Sequence, residues 1–167
     1  MKLSLLRHGI AVERANSGDE DDSKRSLTAK GERRMRRSAE GLLVLGLTYD
    51  LILSSPYLRA RQTADIVAQT LKTAEGVHLS DTLTPAGSPR QLLAALHADY
   101  HERQNILLVG HEPYLSRLIS TLLTGGPNLS VVMKRGGLCT LDMETLRFGR
   151  CASLVSLLTP SQLRRLS

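Results

Sequence analysis

The chain has no tryptophan and a single phenylalanine, and aromatic residues make up only 3% of it. A surface that stacks nucleic-acid bases needs rings interleaved with cations, and no basic stretch here carries them. Cysteine is equally scarce. Cys139 and Cys151 are too few for a disulfide framework or a zinc ligand set, so they read as reduced thiols, with an oxidised pair across a hairpin left open. No run approaches the ~20 apolar residues of a membrane span. The apolar run at the start is about five residues long, shorter than the roughly 7–15 of a signal-peptide core, and charged residues follow it directly. These absences predict a soluble, cytoplasmic protein with no nucleic-acid or membrane partner, no metal and no other cofactor.

What is present is ordinary for a globular protein. With 167 residues, 41% hydrophobic and 23% charged, the expectation is one domain over residues 1–167 with a sizeable core. The net charge of +6 favours anionic partners, among which small phosphorylated groups fit well. The densest cationic run, Lys30 to Arg37 (KGERRMRR), falls on a predicted helix and reads as its solvated face. The acidic run Gly18–Asp22 (GDEDD) reads as a mobile surface loop.

Apolar runs at Leu3–Leu6, Leu51–Leu53 and Ile106–Val109 predict buried strands. Helical spacing separates them. Met35, Ala39, Leu42 and Leu43 form one stripe; Ala60, Ala64, Val67, Ala68 and Leu71 form a second. The second helix is expected to open with Ser55 as N-cap and Pro56 at its first position. A third follows the capping box at Ser88-Pro89-Arg90-Gln91 and buries Leu92, Leu93 and Leu96. A fourth follows Pro113, with Leu115, Leu118, Ile119 and Leu122 inward. Strands alternating with helices predict a three-layer α/β/α sandwich on a mostly parallel sheet. The runs Leu138–Met143 and Ala152–Leu158 predict a hairpin, and so at least one antiparallel strand near the C-terminus.

Three predicted strands end in polar clusters: Arg7-His8-Gly9, then Ser54-Ser55-Pro56 with Arg59 just beyond, then Gly110-His111-Glu112-Pro113. Ligands of open α/β sheets bind outside the carboxyl ends of parallel strands. If the three strands are neighbours, Arg7, His8, Arg59 and His111 converge, and helix N-termini near Pro56 and Pro113 add positive dipole ends. That set suits a tetrahedral dianion. Arginine offers a permanently charged fork to phosphate, and neutral imidazole is a good nucleophile near pH 7. The Arg7 charge should help keep His8 unprotonated. Gly9, lacking a Cβ, would let the backbone approach the phosphoryl group. Arg61, two positions from Arg59, points to another helix face, and His78, His97 and His101 read as structural.

These blocks resemble the histidine phosphatase superfamily, which includes the phosphoglycerate mutases. LRHG looks like the signature around its phosphorylated histidine. SSPYLRARQTA (Ser54 to Ala64) resembles the block that carries its phosphate-binding arginine, at Arg59. VGHEP (Val109 to Pro113) resembles the block of its second phosphate-pocket histidine, at His111, and LTAKGERR (Leu27 to Arg34) its L-T-x-x-G segment. The small size resembles the bacterial SixA-type phosphohistidine phosphatases. Asp22 to Thr28 looks like their D-x-x-R-P-L-T stretch, with Ser26 where proline is usual, and the resemblance implies substrate-side roles for Asp22 and Arg25. Larger members carry a glutamate acid in a loop that corresponds here to Leu83–Gly87, which holds no carboxylate. An alkoxide leaving group needs a proton donor; Glu112 or one of Asp19–Asp22 stays open as that donor, as does none at all. The expected function is a metal-independent phosphatase working through phospho-His8 on a phosphohistidine-bearing signalling protein. The alternatives are a small-molecule phosphomonoesterase and a non-catalytic phosphate-binding module.

Overall fold

The structure, a computed structural model, describes residues 1–14 and 21–167. Residues 18–20 of the acidic run therefore lie outside the described residues. The sheet has six strands in the order β3-β2-β4-β1-β5-β6: β1 Lys2–Arg7, β2 Leu51–Ser54, β3 Val77–Leu79, β4 Asn105–Gly110, β5 Leu138–Asp142 and β6 Ser153–Leu158. The first four pair in parallel, whereas β5 runs antiparallel to both β1 and β6. The predicted architecture holds.

Strand pleating explains the layers. Leu3 and Leu5 of β1, Leu51 and Leu53 of β2, and Ile106 and Leu108 of β4 share one core. Leu6, Ile52, Leu107 and Val109 project to the opposite side into the other. Successive side chains point to opposite faces, so strands buried on both sides read as continuous apolar runs. The first core is closed by helix α3 (Pro89–Tyr100) and helix α4 (Tyr114–Thr124). The second is closed by α1 (Ala29–Val44), α2 (Leu58–Leu71) and α5 (Pro160–Leu166). Among the described residues no helix is long and apolar enough to cross a membrane.

Several local expectations change. Leu43 is 56% exposed because α1 is already ending there. Gly46, at φ 67°, lets its own N–H reach the Leu43 carbonyl and the Leu47 N–H reach that of Leu42, a Schellman closure. Ser55 does not cap α2: that helix starts at Leu58, and Tyr57 stands at the cap without a side-chain bond. Cys139 pairs in register with Leu157, so it does not face Cys151 across the hairpin, and both thiols are free. Two elements had no counterpart in the sequence reading. Strand β3 is three residues long and mostly exposed, too short to leave a periodic signal. Helix α5 does carry one: Thr159 and Gln162 form a full capping box with Pro160 in the first turn.

Candidate active site

Sheet register builds the site. Arg7 stands opposite Gly110 on β4, and Ser54 of β2 opposite Val109. The chain therefore leaves three adjacent strands at one level, and the His8 N–H still donates to the Gly110 carbonyl at 3.1 Å. The rings of His8 and His111 lie 5.1 Å apart between centroids. Arg59, from the first turn of α2, donates through Nε to His8 Nε2 at 3.3 Å. His8, Arg59 and His111 are all buried. Arg7, half-buried, donates through Nη1 to the Met133 carbonyl at 2.8 Å, while its Nε is buried without a partner. The four expected residues do converge.

A hydrogen bond assigns the tautomer of His8. His8 Nδ1 lies 2.7 Å from the Gly9 carbonyl, which can only accept, so Nδ1 carries the proton. That leaves Nε2 with its lone pair directed at the arginines, consistent with its accepting from Arg59. Likewise the Tyr57 N–H donates to Ser55 Oγ at 3.3 Å, and Ser55 Oγ sits 2.8 Å from His111 Nε2. With Ser55 donating its hydroxyl proton to Nε2, the ring proton of His111 would lie on Nδ1. That atom is buried and unpartnered, a donor available to an incoming oxyanion.

Both imidazoles are held neutral. The pKa of His8 falls to about 3, chiefly through burial, with the Arg59 and then the Arg7 charge adding to it against the Gly9 hydrogen bond. His111 also falls to about 3, through burial and then the proximity of His8 and Arg59. Burial therefore outweighs the Arg7 charge that the sequence singled out.

The remaining expected residues take other places. Gly9 is demanded by packing: a Cβ there would sit 2.7 Å from Met35 Cγ on α1. Asp22 stands between two arginines. Its Oδ2 accepts from Arg59 Nη2 at 2.7 Å, its carbonyl accepts from Arg59 Nη1 at 2.6 Å, and its Oδ1 accepts from Arg25 Nε at 2.7 Å. Partial burial would raise the Asp22 pKa, but the hydrogen bonds from Arg59 and Arg25 prevail and hold it below the usual carboxylate range. Arg25 also donates to the Val12 carbonyl, so it braces Asp22 from the side away from Arg59. Glu112 Oε1 accepts from the Ser116 N–H in the first turn of α4; that helix end is thus capped by the protein itself.

Sequence reasoning missed four contributors. Thr63, one turn beyond Arg59, donates to the Arg59 carbonyl and accepts from the Gly9 N–H. Tyr57 packs edge-on against His111, with the Arg59 guanidinium over its ring at 5.1 Å. Ser55 orients His111. Arg135 comes from the segment that folds back over β1, where Gly136 donates to the Arg7 and His8 carbonyls, and its charge reaches His8. Ser55 and Thr63 stood inside the quoted block; nothing local marked Arg135.

Comparisons with known proteins agree with this geometry. Residues 3–84 match the model of the histidine phosphatase superfamily (branch 1). Phosphohistidine phosphatase SixA of Escherichia coli (strain K12) is 32% identical over 126 residues, covering 75% of this chain and 76% of its own. The chain belongs to the histidine phosphatase superfamily. An uncharacterized protein of Picosynechococcus sp. is 37% identical over 88% of both chains. The structure of the protein histidine phosphatase SixA complexed with tungstate superposes with a TM-score of 0.85 at 25% identity, covering 98% of this chain and 99% of that one. The family match ends before His111, so in that comparison the third strand end is joined to the site by the fold alone. Among the described residues no cluster of three or more His, Cys, Asp or Glu is placed to hold a metal ion.

Proposed function

We propose that this histidine phosphatase removes a phosphoryl group from a phosphohistidine-bearing signalling protein, through a phospho-His8 intermediate and without a metal. The observation that carries the reading is His8 itself: Nδ1 tied to the Gly9 carbonyl, Nε2 unprotonated and facing Arg59. The Nε2 lone pair attacks phosphorus, the bond from phosphorus to the leaving group breaks, and water then cleaves the P–N bond to His8. Arg7 Nε, Arg59 and the His111 Nδ1–H neutralise charge on the equatorial oxygens, which is most of what phosphoryl transfer asks of a protein.

The leaving group follows from the acids. Asp22 is held ionised by two arginines, and Glu112 spends one oxygen on a helix N–H. Neither is a ready proton donor. An imidazole protonated on its other nitrogen leaves without one, whereas an alkoxide does not. The tungstate-bound relative is a protein histidine phosphatase, which supports the same substrate class. A small-molecule phosphomonoesterase is the second reading and rests on Glu112, whose charge reaches Arg7.

The test compares kcat/KM for a phosphohistidine protein, p-nitrophenyl phosphate and glycerol phosphate. Missing acid catalysis is worth about 10²–10⁴-fold, so glycerol phosphate should trail by that order. Equal rates, with only the alkyl activity erased in Glu112→Gln, would reverse the two readings.

A further inference from the structure

Beside the catalytic pocket lies a small cleft between α1, α5 and the segment that carries Arg135. It is lined by Gly9 next to the nucleophile, by Arg34 and Ser38 of α1, by Arg135 and by Arg164 of α5. Its volume is about 60 Å³. At about 30 Å³ for a water's share of liquid volume, that is room for about two waters, close to one small oxyanion and too small for a sugar or a base.

The charges in the cleft are unbalanced. Among the described residues Arg34, Arg135 and Arg164 have no ion-pair partner. A neighbouring contact deepens the imbalance: Arg37 donates to the Arg164 carbonyl at 3.2 Å. Burial and the Arg34 and Arg37 charges together lower the Arg164 pKa, as expected of cations gathered without an anion. Ser38 supplies an independent sign. It is 1% exposed, and its hydroxyl oxygen has no hydrogen-bond partner. A serine inside a helix ordinarily returns its hydroxyl to the carbonyl one turn back. A buried hydroxyl left unsatisfied costs about 1–3 kcal/mol, and a ligand oxygen in the cleft would recover it.

We propose that this cleft is a second oxyanion site, which takes a phosphate- or carboxylate-sized group on the Gly9 side of the nucleophile. Arg34, Arg135 and Arg164 supply the charge, and Ser38 supplies a neutral donor. The anion comes either from solution or from the substrate, as a second phosphate or an acidic side chain beside the phosphorylated residue. Only the substrate-borne source rests on the phosphatase reading.

Crystals soaked in tungstate test the site directly. Two tungstates are expected, one between Arg7, Arg59 and His111 and one between Arg34, Arg135 and Arg164. The double variant Arg34→Gln, Arg164→Gln should keep the first and lose the second. Its thermal midpoint without anions should not fall, since it removes like charges from the surface. A cleft empty while the catalytic pocket is filled overturns the proposal, as does a second tungstate that survives in the double variant. Kinetics separate the sources. If the anion is carried by substrate, kcat/KM for a phosphohistidine protein drops about tenfold in the double variant while that for p-nitrophenyl phosphate holds. If the anion is free, both stay level and the tungstate result alone supports the site. Failure of the wild type to turn over either substrate would refute the phosphatase reading and leave the tungstate result standing.

Discussion

The two ends of the parallel strands spend their polar residues differently. At the amino end, charges are paired off. Asp50 accepts from the Gln104 and Asn105 N–H groups, Arg103 bonds Glu75 at 2.7 Å, and the Met1 ammonium bonds the Met143 carbonyl. The larger cleft at that end, about 540 Å³, is lined by Asp142, Glu144 and Arg147 among others, acids and base together. At the carboxyl end, buried cations outnumber acids, and Arg7 Nε and His111 Nδ1 remain without partners. Cavity size alone would point to the amino end. Unspent charge and unspent donors mark the site that handles an anion.

Experiments can break or sharpen that contrast, and the largest effect belongs to the nucleophile. His8→Ala should lower kcat for p-nitrophenyl phosphate by about 10⁴-fold or more, as losing a nucleophile does elsewhere, with the circular dichroism spectrum unchanged. Phosphate recovered in acid-labile, base-stable form on another residue would remove His8 from its role. Next comes charge at the transition state. Arg59→Ala removes a preorganised donor and should cost about 2.7–4 kcal/mol, or about 10²–10³-fold in kcat/KM.

Acid should unmask the buried histidines. His8 and His111 have folded pKa values of about 3 against about 6.5 unfolded. Above pH 6.5 both states bind no proton there, and these groups make no difference to stability. As pH falls from 6.5 toward 3 the unfolded chain takes up protons that the fold refuses. Each histidine then removes about 1.4 kcal/mol of stability per pH unit. Denaturant titrations at pH 7, 6 and 5 should show the fall, and His8→Ala should lessen its slope. A flat stability curve over that window would mean the rings are not buried neutral.

Ser55→Ala should be milder. It leaves His111 Nε2 without its donor and the ring proton free to move, a loss of about 1–2 kcal/mol, read as roughly tenfold in kcat. Nitrogen-resolved NMR should find the His111 proton on Nδ1 in the wild type and divided between the two nitrogens in the variant. At the amino end, Glu75→Gln breaks an exposed pair with Arg103. It should leave kcat and KM unchanged and scarcely move the thermal midpoint.

Much of this was legible along the chain because it is written locally. Apolar runs of Leu and Ile mark strands covered on both faces; Arg7 ends β1, His8 and His111 directly follow β1 and β4, and Arg59 comes a few residues after β2. Periodicity needs length, so the three-residue β3 was silent. Helix α5 carries its signal in Thr159, Pro160 and Gln162, but no strand follows it, so strand–helix alternation does not call for it.

The sequence by itself marked the strands covered on both faces and the polar residues at their ends; that these strands are neighbours, and so that those residues meet, came from the order and register of the sheet. Only the tertiary structure, too, decided what each residue does on arrival. Ser55 looks like a helix cap until β4 brings His111 to within 2.8 Å of its hydroxyl. Gly9 also turns out to serve packing, since a Cβ there would sit 2.7 Å from Met35 Cγ of α1. Asp22 looks like a proton donor until Arg59 and Arg25 close on its two oxygens. A hydrogen bond or a pKa depends on groups distant in the chain, and only folding sets those distances.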